Sequence, residues 1–106
     1  MSWIDTEMRE TIAVKHATGY NAKGKVYGTA SSINAYCESG FKRITNTNGE
    51  DVTASLFMIC PANSSIAIGD EVVWQSQRYE VVAVESIRPF GTTHHLEVYA
   101  KSAGAV

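Results

Sequence analysis

His94 and His95 stand side by side, and no other pair in the chain looks as much like a metal or proton-transfer site. Imidazole is the commonest protein metal ligand, and its charge changes near neutral pH. In an extended strand, however, adjacent side chains leave opposite faces, so the two rings are poorly placed to hold one ion. The expectation is that one faces solvent and the other flanks the core. A Cys–His nucleophile would need Cys37 or Cys60 beside His16, His94 or His95, with a third group orienting the base. Neither cysteine sits in a recognisable nucleophile signature, and their separation matches no zinc spacing. Both read as buried, reduced, small apolar residues. A disulfide would need the fold to bring them together, and a cytosolic setting argues against it.

The acids offer no better site. Asp5, Glu7, Glu10, Glu50, Asp51, Asp70, Glu71, Glu80, Glu85 and Glu97 are spread through turns and outward strand positions, as a solvated β-surface requires. Asp70, directly after Gly69, reads as the cap of a turn that starts a strand, since Asp side chains bond nearby backbone amides. Gly19, Gly24 and Gly28 do not make a phosphate loop, because no Lys-Ser/Thr pair follows them and no helix begins there. The expectation is therefore no catalytic residues, no metal and no cofactor.

The elements that carry these residues are short strands. Ile12, Val14 and His16 alternate with Thr11, Ala13, Lys15 and Ala17, which is the period of a strand. Residues 32–38 (SINAYCE) alternate again and continue in extended form from Phe41 to Thr45. Asn46-Thr47-Asn48-Gly49 is a strong turn signal, and Thr53 to Cys60 (TASLFMIC) is apolar enough for a central strand. Ala62-Asn63-Ser64-Ser65 reads as a loop. "GDEVVWQSQRYEVVAVE", from Gly69 to Glu85, reads as a hairpin. Val72 and Trp74 share one face, Gln75-Ser76-Gln77 turns, and Tyr79, Val81 and Ala83 oppose Glu80, Val82 and Val84. His94 to Lys101 forms a last strand with Leu96, Val98 and Ala100 on one face. Pro61 and Pro89 fall where strands end. Ile4 and Met8 have the spacing of one short helical turn. Strands at this spacing, with turn signals between them, predict an all-β fold, a small antiparallel barrel or sandwich with at most a short N-terminal helix.

One stretch resists that pattern. From Thr18 to Thr29 the chain has three glycines, little periodicity, and Lys23 and Lys25 interleaved with Tyr20 and Tyr27. It reads as a long loop after the first strand, and loops of that length in a small domain commonly carry function. It is the candidate contact element, either with a partner or along a polyanion.

The whole chain, 106 residues, is the size of a single domain, here 1–106. A hydrophobic share of 44% with 19% charged residues is that of a globular chain. The net charge of −2 withdraws the electrostatic argument for tight nucleic-acid binding, which rests on clustered Lys and Arg. No apolar run reaches the length of a membrane span. The start, MSWIDTEMRE, lacks the basic and apolar regions of a secretory signal, so the chain is expected in the cytoplasm when made.

The order of features resembles a known family. A first strand is followed by the Gly/Tyr/Lys stretch, then a strand ending at Glu38-Ser39-Gly40-Phe41-Lys42-Arg43, a turn at Asn48-Gly49-Glu50 and the apolar strand Thr53–Cys60. Ile68-Gly69-Asp70 then leads to Arg78-Tyr79-Glu80-Val81, and Gly91 with His94-His95-Leu96-Glu97-Val98-Tyr99 closes the chain. This resembles the head-closure proteins of tailed bacteriophages, also called head–tail connectors or stoppers, over nearly the whole length. The resemblance implies a small β-barrel that assembles as a homo-oligomeric ring in the neck of the virion. Its partners would be a portal-adaptor protein above, a tail or tail-terminator protein below, and packaged double-stranded DNA passing through without sequence specificity. It also implies that the stretch after the first strand projects to the channel, placing Gly19, Tyr20, Asn21, Lys23, Gly24 and Lys25 at or near the lumen. No catalytic residue carries over. Under this reading the Val72–Val84 hairpin is scaffold and ring contact, and ring formation gives its unpaired edges a partner.

Two further readings remain from the residues. An OB-like single-strand binder would use Trp74, Tyr79 and Tyr99 for stacking and would need a basic groove beside them. A small enzyme or other cytosolic module is the third. A neighbouring neck or tail-terminator ring protein shares every feature of the stopper reading.

Overall fold

The computed structural model describes residues 10–21, 24–45, 49–88 and 94–105. Eight strands occupy them: β1 (Glu10–Lys15), β2 (Ala17–Asn21), β3 (Gly24–Tyr27), β4 (Ser31–Thr45), β5 (Asp51–Pro61), β6 (Glu71–Trp74), β7 (Gln77–Ile87) and β8 (His95–Ala105). The expected all-β fold is what forms, and no helix occurs among the described residues. The helical turn expected at Ile4–Met8, the turn at Asn46–Asn48 and Pro89 lie outside them.

Six strands close an antiparallel barrel in the order β1-β4-β5-β8-β7-β6, while β2 and β3 pair only with each other. Alternation drives the closure. Ile12 and Val14 from β1, Leu56, Met58 and Cys60 from β5, and Leu96, Val98 and Ala100 from β8 all turn inward. Val72, Tyr79 and Val81 complete the interior with Ala35. The register sets these residues opposite one another, as in Met58↔Val98, Cys60↔Leu96 and Val72↔Tyr79. Cross-strand pairs of this kind are the unit of sheet stability.

Closure changes one expectation. The Val72–Val84 hairpin has no free edge to offer a ring, because β6 pairs with β1 and β7 with β8. The free edges lie elsewhere. β1 covers β4 only from Ser31 to Ala35, and β8 covers β5 only from Leu56 onward. The segments Lys42–Thr45 and Asp51–Ala54 therefore pair only with each other and run past the barrel wall.

Two bulges re-aim side chains that strict alternation assigns elsewhere. On β7 the register to β8 shifts between Val81 and Ala83. Val82 is the extra residue, and Val84 comes into line with the inward Val98 and packs against the core, reversing the face expected for it. On β4 the register slips between Ser39 and Lys42, at Gly40 and Phe41. Gly40 adopts φ +157°, a value that side chains with a Cβ rarely take. Phe41 emerges 87% exposed. Across the slip, the Ser55 hydroxyl is buried with no hydrogen-bond partner among the described residues.

The hairpin turn is tighter than expected. Gln75 and Ser76 alone connect β6 to β7, at φ +50° and +62°, and Gln77 already belongs to the strand. Both positive angles fit a type I′ turn, the connection whose twist matches the flanking strands. Trp74 sits at the core edge as expected, half-buried, with Nε1 donating to Glu10 Oε2 at 2.7 Å.

Candidate functional site

The stretch expected as a long loop is a β-hairpin. Gly19 faces Val26, Tyr20 faces Lys25 and Asn21 faces Gly24, with a register slip between Ala17 and Gly19. Periodicity fails there because that slip and the small residues break the alternation on which the sequence reading depends. Of the six channel-loop candidates, Gly19, Tyr20 and Asn21 lie on β2, and Gly24 and Lys25 on β3. Lys23 lies outside the described residues.

A polar cluster missed by the sequence reading ties this hairpin to the barrel. His16 sits between β1 and β2, and its carbonyl accepts from Gly28 N at 2.9 Å, closing the hairpin base. Its ring Nδ1 donates to Asp70 Oδ2 at 2.7 Å. Asp70, only 4% exposed, also accepts from Ala67 N at 2.9 Å and Ala17 N at 3.3 Å. Its backbone joins too, with Val81 N donating to Asp70 O and Gly69 N to Val81 O, each at 2.9 Å. Gly69 allows this approach by taking φ +94°, in the left-handed region. A carboxylate this deep is tolerated because amide donors and an imidazole replace its water. The turn-cap role expected of Asp70 holds, yet the side chain reaches further than a local cap. Beside it, Lys15 Nζ lies 3.9 Å from the buried Glu71.

Ser65 Oγ lies 3.4 Å from His16 Nε2, so carboxylate, imidazole and hydroxyl follow one another in the order of a hydrolytic triad. The distances favour fastening over catalysis. The bond to Ser65 is long for a hydroxyl donor, whereas both Asp70 oxygens are engaged with backbone amides. The cluster pins the β1–β2 junction to the β5–β6 connection at one point.

The other chemical candidates resolve structurally. His94 is exposed and His95 buried, as expected. Their rings nevertheless meet edge to face, with Nδ1 atoms 2.9 Å apart, because His94 precedes the strand and escapes its alternation. The other nitrogen of His95 lies 3.3 Å from Glu97 Oε2, so its two neighbours sit on opposite sides of the ring. Among the described residues no three His, Cys, Asp or Glu side chains group as a metal site. Both cysteines are free. Burial pushes the Cys37 thiol up to about 12, helped by Glu10 and Cys60, and burial pushes Cys60 up to about 11. Neither is a thiolate at neutral pH.

The aromatic residues proposed for base stacking do not share a surface. Tyr79 lies inside the barrel, Trp74 at its edge, and Tyr99 outside against Phe57 with ring centroids 5.2 Å apart. Two of the wall cations are committed: Lys101 pairs with Glu80 at 3.2 Å, and Arg78 donates to Ala103 O at 3.3 Å.

Apolar side chains also line two clefts. A cleft of about 460 Å³ is bordered by Glu38, Phe41, Phe57, Glu97 and Tyr99. A second, of about 400 Å³, is bordered by Ile44, Ile68, Ala83, Val84, Glu85 and Tyr99. Ile68 is 49% exposed.

No protein-family model matches the chain, and no curated protein matches it by sequence. Among solved structures, the phage-like element PBSX protein xkdH from Bacillus subtilis superposes with a TM-score of 0.53. The match is at 16% identity and covers 89% of this chain and 93% of that one. At that identity the likeness is one of architecture, and it is nearly complete in both directions: the chain has the fold of the phage-like element protein.

Proposed function

We propose that the protein is a structural component of a tailed-phage neck, a head-closure ring that retains packaged DNA and docks the tail. The observation that carries this is the end-to-end shared fold with a protein of a phage-like element, which agrees with the order of motifs along the chain. The chemistry is consistent with it. The Asp70–His16 cluster fastens a hairpin, and the thiols are held neutral. In this reading β2–β3 is the element that reaches the channel, and Lys23 and Lys25 meet the duplex only collectively, when many copies surround it. A net charge of −2 suits a passage that DNA must leave again. The adaptor above and tail protein below are its proposed partners, and it carries no enzymatic role.

The test is genetic. A nonsense mutation in the gene, in the phage that encodes it, should yield heads that fill and then lose their DNA, with tails left unattached. Tailed, infectious particles from the mutant would refute the reading.

A further inference from the structure

The β4 bulge gives the chain a protrusion for which its own fold has no use. Phe41 is 87% exposed, and two residues on is Arg43, exposed and without a hydrogen bond or ion pair among the described residues. Aromatic residues and Arg are the types enriched where proteins meet. The cleft at Ile44, Ile68 and Val84 has the complementary character, an apolar floor with Glu85 at its rim. Glu85 has its own difficulty. It stands directly opposite Glu97 in the β7–β8 ladder, and like charges in that position repel. Glu97 has His95 beside it, whereas Glu85 is exposed and makes no ion pair among the described residues.

We infer that copies of this chain join head to tail, with Phe41 of one copy seated in the Ile44–Ile68–Val84 cleft of the next and Arg43 of the first against Glu85 of the second. Charge complementarity selects a second copy as the occupant, since one chain carries both the unpaired cation and the unrelieved carboxylate. Phe41 and Arg43 belong to β4, whereas Ile68, Val84 and Glu85 lie on other segments, so the contact joins unlike residues and is heterologous. Such a contact propagates, and it closes into a ring where the rotation between copies allows. The inference deepens the ring reading and rests on it for its setting, but the contact belongs to the isolated chain and is tested there.

The native thiols, held neutral to about 12 and about 11, leave introduced cysteines as the reactive ones. Phe41→Cys and Ile68→Cys are made separately, both at exposed positions, and checked for native circular dichroism. Mixed and oxidised, they should give a 41–68 linked dimer, while each alone gives far less. Arg43→Glu in the first variant should slow that cross-link about tenfold, and Glu85→Arg in the second should restore it. Absence of the mixed dimer, preferential 41–41 linkage marking a two-fold contact, or failure of the charge swap to restore linkage would each overturn the inference. The neck reading fails separately, on whether mutant heads hold their DNA.

Discussion

Asp70 and His16 are 54 positions apart in sequence and meet at 2.7 Å, the imidazole donating to a carboxylate sealed from solvent. One side chain of the β5–β6 connection thereby holds the junction between the first barrel strand and the projecting hairpin. Asp70→Asn replaces an acceptor oxygen with a donor facing amide N–H groups, and should cost about 2–3 kcal/mol by urea denaturation. His16→Ala leaves the amide bonds in place. Its loss should be nearer about 1 kcal/mol, with faster hydrogen exchange confined to β2 and β3. Equal exchange throughout the barrel in the His16 variant would show that the pair does not act on the hairpin.

The Gln75–Ser76 turn places two residues with a Cβ at φ +50° and +62°. Asn and Gly occupy these positions at less cost. Gln75→Asn with Ser76→Gly should raise stability by about 1 kcal/mol without moving a strand, measured as a higher denaturant midpoint at unchanged slope.

Ser55 hides a hydroxyl with no partner among the described residues. Ser55→Ala removes the unsatisfied group at little cost in packing and should be neutral or stabilising by up to about 1 kcal/mol. A loss above that size would mean that the hydroxyl is bonded.

Cys37 and Cys60 should resist alkylation in the native state at pH 8, with labelling rising sharply only as the chain unfolds. The folded pKa values lie above the ordinary 9.0, so the folded state holds protons that the unfolded state gives up. The stability these thiols contribute is complete below pH 9 and falls as pH rises towards 11 and 12. Midpoints measured at pH 8 and pH 10.5 should therefore differ, and replacing both cysteines with Ala should shrink the difference.

The free subunit should bind single-stranded oligonucleotides negligibly, because its stacking candidates are split between interior and exterior and no basic groove lies beside them among the described residues, Lys101 and Arg78 being engaged within the wall. Fluorescence anisotropy at low salt checks this. Micromolar binding, lost on Tyr99→Ala in a folded variant, would instead support a nucleic-acid module.

Strand positions, the inward faces and the Gln75–Ser76 region were legible because alternation is a local code: Leu56, Met58, Val98 and Ala100 announce their side wherever they stand. What stayed hidden depends on register or distance. Val84 reverses face because one residue bulges before it. The stretch after β1 looks like loop because a slip at Ala17–Gly19 interrupts the period. The Asp70–His16–Ser65 cluster joins two connections, β1–β2 and β5–β6, whose proximity exists only once β1 and β6 have paired, so His16 reads as one more strand residue and Ser65 as plain loop.

Strand order has a temporal meaning as well. β8 lies between β5 and β7, and β1 between β4 and β6, so the β5–β8, β1–β4 and β1–β6 pairings join strands that are not neighbours in sequence. Until β8 leaves the ribosome, β5 and β7 each lack a neighbour and the sheet remains open. The pairings that close the barrel are thus the long-range ones, the kind that slows folding. The barrel closes only once β8 has been made, and in the interval before that its apolar strands are most exposed to one another's copies.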